Sequence, residues 1–118
     1  MPISVSVDEV RRLISISIEG TIGEADLRAL GARVRGDPAF AAGYPILYDC
    51  TGAAAILASG EFVYNMGANA RADKNRIAFV ATSPTAFGLA RMYQIVADES
   101  GKRIQVFATP EEALGWLG

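Results

Sequence analysis

Twice in the second half of this chain a short apolar run ends in a hydroxyl residue followed at once by proline: "RIAFVATSP", ending at Pro84, and "RIQVFATP", ending at Pro110. Short runs rich in Ile, Val and Phe read as strands. Ser or Thr followed by Pro reads as a helix start, because the hydroxyl accepts an otherwise free N–H and proline occupies the first helical position, where no donor is needed. A strand that passes straight into a helix and then into another strand builds a parallel sheet, and right-handed crossovers require the helices to cover it. This recurrence restricts the chain to an α/β architecture.

The remaining elements fit that frame. Ile3 to Val7 and Leu13 to Ile18 alternate apolar residues with serine, which predicts two strands with one polar face, joined by "DEVRR" as an antiparallel hairpin. In "EGTIGEADLRALGARVRG" the period changes: Ile22, Leu27, Leu30 and Val34 fall near helical spacing, with Thr21 and Glu24 spaced as a capping box. Gly36-Asp37-Pro38 ends that helix, and "AFAAGYP" reads as a loop or short helical turn. "PILYDC" is an apolar run suited to a central strand, with Asp49 and Cys50 at its carboxyl end, and "TGAAAILASG" reads as a small-residue linker. Phe62, Val63, Met66 and Ala70 mark a second helix, closed by Arg71 to Lys74. Ser83-Pro84 opens a third, and Thr109-Pro110-Glu111-Glu112 opens the last, "PEEALGWL". The predicted order is β-β-α-β-α-β-α-β-α, a mostly parallel sheet preceded by a hairpin.

At 118 residues this is one domain, spanning residues 1–118. Apolar residues make up 51% and charged residues 20%, the mix of a folded globular chain. Eleven basic against thirteen acidic residues leave a formal charge of −2, which supplies no field for nucleic acid or an anionic membrane. The start "MPISVSVDEV" has no basic and apolar leader pattern, and no run reaches the roughly 18 apolar residues of a membrane span, so a cytoplasmic protein is expected. The single cysteine, Cys50, agrees with a reducing compartment. The chain has no histidine. Imidazole bases and His metal ligands are therefore excluded, and no metal or cofactor is expected. Carboxylate, Lys, Tyr or Arg chemistry remains open. "GTIGEADLRALG" lacks the spacing of either glycine-rich phosphate-binding motif.

With its element order, "RIAFVATSPTAFGLARMYQIVADESGKRIQVFATPEEALGWL" resembles the C-terminal half of small stand-alone proteins with the SpoIIAA-like fold, which is shared by STAS domains. The "ARMYQ" stretch, the "VF" strand and the "EEALGWL" finish carry the likeness. It implies a regulatory or binding domain, not an enzyme, and some proteins resembling this fold hold lipid-like or other apolar molecules. In the anti-sigma-factor antagonists a strand leads into an Asp-Ser-Ser-Gly loop whose second serine is phosphorylated by a partner kinase. Ser59-Gly60 stands about where that loop falls, with Leu57-Ala58 in place of Asp-Ser.

Each candidate residue also has an ordinary structural reading. Ser59 reads first as the N-cap of the second helix and second as a phosphorylation site. Asp49 lies where open parallel sheets place ligand crevices, yet a carboxylate there also caps its own loop. Cys50 reads as a small buried residue. Arg71, Lys74 and Arg76 form one basic group, and Arg91, Lys102 and Arg103 another if folding joins them; solvated charges are the plainer account. Arg91 is the candidate for an anionic group. Tyr48, Tyr64 and Tyr93 are candidates to line an apolar cavity, since a tyrosine places its hydroxyl at the lip of a pocket.

Three readings follow. The first is a non-enzymatic domain binding a small apolar or anionic ligand, or a protein partner. The second is an anti-sigma-factor antagonist switched at Ser59. The third and weakest is an enzyme using Asp49. The opening hairpin also offers an edge for a homodimer.

Overall fold

The computed structural model describes residues 2–118. Strands β1 (Ile3–Asp8) and β2 (Leu13–Gly23) form the expected antiparallel hairpin, with Val5 opposite Ile16. Its turn is held by Asp8, whose carboxylate accepts the N–H groups of Val10 and Arg11 at 3.0 Å each. β3 (Ile46–Leu57), β4 (Ile77–Val80) and β5 (Ile104–Phe107) follow, all parallel to β2, and the strands lie in sequential order from β1 to β5.

Sequential order has a geometric consequence. Every crossover steps the same way across the sheet, so right-handed connections put all the crossover helices on one face. Those helices are α1 (Glu24–Arg35), the short α2 (Pro38–Ala41), α3 (Gly60–Asn69) and α4 (Pro84–Ala97). Under them Ile14, Ile16, Ile46, Ile77 and Ile104 form the main core with Leu30 and Val34 of α1. The closing helix α5 (Pro110–Leu117) covers the opposite face, where Leu13, Leu47, Ala78 and Val80 pack with Ala113 and Trp116. Across the hairpin, Ser4 pairs with Ser17 and Ser6 with Ser15 on that same opposite face. A polar face needs no covering helix.

Two boundaries differ from the sequence reading. β2 continues past Ile18 to Gly23, and β3 continues through the supposed linker to Leu57. Each extension exists because of the other, with Thr21 beside Ala55, Ile22 beside Ile56 and Gly23 beside Leu57. Alanine is a weak strand former, and here the pairing overrides the local preference. The ribbon is irregular between Ser17 and Thr21, where the register shifts twice and Gly20 has φ +70°. Because Thr21 stays in the strand, the expected Thr21–Glu24 capping box is not made. Gly23 is the N-cap instead, and its N–H donates to Asp26 at 2.8 Å.

The other helix starts follow the sequence. Ser59, Ser83 and Thr109 accept from the N–H groups of Phe62, Ala86 and Glu112. Buried polar groups tie the ends of the sheet. Asp98, only 8% exposed, accepts the N–H groups of Arg103 and Ile104 at 2.7 Å each, and Arg103 donates to the carbonyls of Asn75, Ala70 and Ala97. Among the described residues no helix is long and apolar enough to cross a membrane.

Candidate functional site

Helices α3 and α4 pack closely, since a Cβ on Gly67 would lie 2.9 Å from the Val96 Cβ. Helix α1 behaves differently. Between it and α3 a cleft runs along the helix-covered face of the sheet, and α1 is joined to its neighbour mainly at the rim. At one end the Ser59 N–H donates to Glu24 at 2.8 Å. Further along, the Arg28 guanidinium lies 4.9 Å from the centre of the Phe62 ring. At the other end Arg35 and Asp73 form a bidentate pair.

The inner part of the cleft is an apolar cavity of about 100 Å³, lined by Ile18, Leu30, Cys50, Ile56, Val63 and Leu89 among others. It adjoins a second space of about 240 Å³ that reaches Arg35 and Asp73. Leu27, Gly31, Tyr48, Met66 and Tyr93 border both. The floor is aromatic: Tyr48 stacks on Phe79 at 4.9 Å between ring centres, and Tyr93 meets Phe79 edge-on at 5.5 Å. Strand alternation explains the floor, because Tyr48 and Cys50 share the helix-covered side while Asp49 points to the other.

Tyr48 and Tyr93 are therefore brought together from β3 and α4, and neither hydroxyl is hydrogen-bonded to another described residue. Burial pushes both phenols above their ordinary range. For Tyr48 the neighbouring Tyr93 adds to the rise and Arg35 opposes it; for Tyr93 Asp73 adds, and Arg103 and Arg35 oppose. Both remain neutral at physiological pH, able to donate and to accept. Burial, reinforced by Asp49, also pushes the Cys50 thiol up to about 11, so it stays protonated and is a weak nucleophile.

The other candidates lie elsewhere. Asp49 accepts the N–H and hydroxyl of Thr51 at 3.0 and 2.6 Å, the local turn that its position allows. Tyr64 is 51% exposed on the outer side of α3. Arg91 is exposed and donates to Gln94 at 2.7 Å, away from the cleft lining. The basic residues do not gather in the two groups expected from sequence: Arg76 lies over Trp116, away from Arg71, while Arg71 and Arg103 come from different groups to border one space and spend their donors on the carbonyls of Val96, Asn75, Ala70 and Ala97. Ser59 caps α3. Among the described residues no group of three or more Cys, Asp or Glu is placed to hold a metal ion.

Arg35 and Asp73 were not among the candidates from sequence. They are 38 residues apart, one in the last turn of α1 and the other in the turn after α3, places where charge is ordinary, and no sequence spacing links them. The arrangement as a whole offers an apolar recess, two uncharged phenols and one neutralised ion pair, which suits binding.

No family model matches this chain, and no curated protein matches it. Solved structures do. One is an uncharacterised protein of the DUF3478 family with a SpoIIAA-like fold from Shewanella loihica, 15% identical, with a TM-score of 0.65 over 98% of this chain and 92% of that one. Another is the anti-sigma factor antagonist SpoIIAA in its unphosphorylated form, 17% identical, with a TM-score of 0.53 over 95% of this chain and 92% of that one. The chain has the SpoIIAA-like fold, as the "ARMYQ" and "EEALGWL" segments implied.

Proposed function

We propose that this chain is a binding domain that takes up a small, mainly apolar molecule in the cleft between α1, α3 and the sheet, in a regulatory role. One observation carries the reading: the unpaired Tyr48 and Tyr93 hydroxyls border an otherwise apolar recess. Each hydroxyl stands at the solvent-reachable lip of the recess with no protein partner, so it is free to bond a ligand's polar group while the apolar walls take up the rest. The apolar recess of about 100 Å³ opens into the adjoining space of about 240 Å³, and together they offer room comparable to the roughly 150 Å³ cavity that holds benzene. The fold supports a regulatory role by analogy, since one protein that shares it is an anti-sigma factor antagonist.

Native mass spectrometry of gently purified protein tests the reading, with Met66→Trp as the control that fills the recess. A retained small mass that Met66→Trp loses is the expected result. If neither a retained mass nor NMR shifts on adding small aromatic probes can be found, the cleft is packing imperfection and the reading fails.

Phosphorylation at Ser59 is a second reading. Ser59 is exposed, and beside it lie Leu57, 63% exposed, and Met92, whose methyl is 3.6 Å from where a Gly60 Cβ would stand. That is an apolar rim a protein partner could cover. Against it, the Glu24 carboxylate already takes the Ser59 N–H and would repel a phosphate. Intact-mass analysis of the protein from its own source decides: phosphate on Ser59 favours this reading, and unmodified Ser59 under all growth conditions removes it.

A further inference from the structure

The cleft carries information about the charge of its occupant. Where it widens, Arg35 is the cation at its polar end among the described residues, and Asp73 holds that guanidinium in two bonds of 3.0 and 2.7 Å. The Asp73 side chain is 12% exposed, so this carboxylate is a nearly buried wall of the site. Arg28 also borders the space, but its side chain is 68% exposed and lies over Phe62 near Glu24, where water screens it. The remaining polar side chains that line it, Tyr48, Tyr93 and Asn69, are uncharged.

Resting on the cleft reading above, we infer that the site selects an uncharged molecule, an apolar ring or short chain bearing one hydroxyl or carbonyl group, and rejects the corresponding carboxylate. An anion entering here would lose its hydration, find Arg35 already neutralised and face the Asp73 carboxylate at close range. A hydroxyl or carbonyl carries a far smaller desolvation cost and finds both a donor and an acceptor in each tyrosine hydroxyl. Asp73 is thus the residue that sets specificity, by withholding the arginine from anionic ligands.

Titration of the full chain at pH 7 with 2-naphthol and with 2-naphthoate, followed by amide NMR shifts around Leu27, Met66 and Tyr93, tests this. The two probes share an aromatic body and differ in charge. Naphthol binding at least roughly tenfold tighter is expected, from the uncompensated desolvation of the carboxylate. Equal binding, or tighter naphthoate, overturns the inference while leaving the cleft reading intact. No binding of either probe overturns both.

A second arm uses Asp73→Asn, which keeps the shape and releases the charge of Arg35. Naphthoate should gain roughly tenfold relative to naphthol in this variant. An unchanged ratio in folded Asp73→Asn overturns the assignment to Asp73. Should that variant fail to fold, the comparison of the two probes on the unaltered protein still decides the selectivity.

Discussion

The guanidinium of Arg35 in the last turn of α1 meets the carboxylate of Asp73, in the turn after α3, through two N–H···O bonds, and this pair closes the end of a cleft that side-chain packing leaves open. Bidentate geometry is the strong form of such a contact. Arg35 is nevertheless 46% exposed at its side chain, so solvent screens much of the attraction. A double-mutant cycle with Arg35→Gln and Asp73→Asn, read by urea unfolding, should give a coupling of about 1 kcal/mol. The coupling should shrink in high salt. A salt-independent value well above that would mean the pair is more deeply desolvated than its exposure indicates.

Gly67 predicts the opposite of what helix propensity suggests. Alanine is favoured over glycine inside a helix by up to about 1 kcal/mol. At this position the added methyl would sit 2.9 Å from the Val96 Cβ and 3.0 Å from its Cγ1, and a β-branched residue in α4 has no freedom to swing away. Gly67→Ala should therefore destabilise the fold, by about 1 to 2 kcal/mol net. Adding Val96→Ala to Gly67→Ala should recover part of the loss. If Gly67→Ala raises the melting temperature, the two helices are less tightly fitted than the distances show.

Sequence and structure part company at identifiable places. Ser59, Ser83 and Thr109 were legible as caps because a cap is a local bargain between one side chain and an N–H three residues on. The ends of β2 and β3 were not, because each extension is stabilised by the other strand and not by its own composition. The site divides in the same way. Tyr48 and Tyr93 stood out as tyrosines within apolar runs, whereas Asp49 and Arg91 had equal standing in the sequence and fold away from the cleft. Alternation put Asp49 on the other face of β3, and helical phase put Arg91 outside. Arg35 and Asp73 acquire their meaning only from the placement of α1 against α3.

Asp98 should make stability fall in acid. Burial alone would push its carboxyl up, but bonds from the Ile104 N–H, the Ser100 hydroxyl and the Arg103 N–H, with the charge of Arg103, together hold it below the ordinary aspartate value. A carboxyl lowered in the folded state contributes stability above its unfolded value, near 3.9, and loses it as pH falls through the folded value. Asp98→Ala should cost about 2 to 4 kcal/mol at pH 7, since two buried N–H groups lose their acceptor. Asp98→Asn keeps one oxygen for them and should cost less. The gap between the unaltered protein and Asp98→Asn should be constant from pH 6 to 8 and shrink as pH falls past the unfolded value and through the lower folded one. A gap that does not shrink in acid would assign the cost to packing.

Ser59 separates its structural from its regulatory role in a simple stability experiment. Its hydroxyl accepts the Phe62 N–H at 3.1 Å, and its own N–H is held by Glu24 at 2.8 Å, so the residue fastens both α3 and α1. Ser59→Ala removes only the first of these and should cost about 1 kcal/mol, or roughly 4 °C in melting temperature for a domain of this size. Ser59→Asp supplies another capping oxygen and a charge that the helix N-terminus favours, offset by repulsion from Glu24, and should lie close to the unaltered protein. Adding Glu24→Gln to Ser59→Asp removes that repulsion and should raise stability above Ser59→Asp alone, although it weakens the bond to the Ser59 N–H. If Ser59→Asp is instead much less stable than Ser59→Ala, the loop does not tolerate a negative group, and a phosphate at Ser59 would unfold this corner of the domain and not merely mark it.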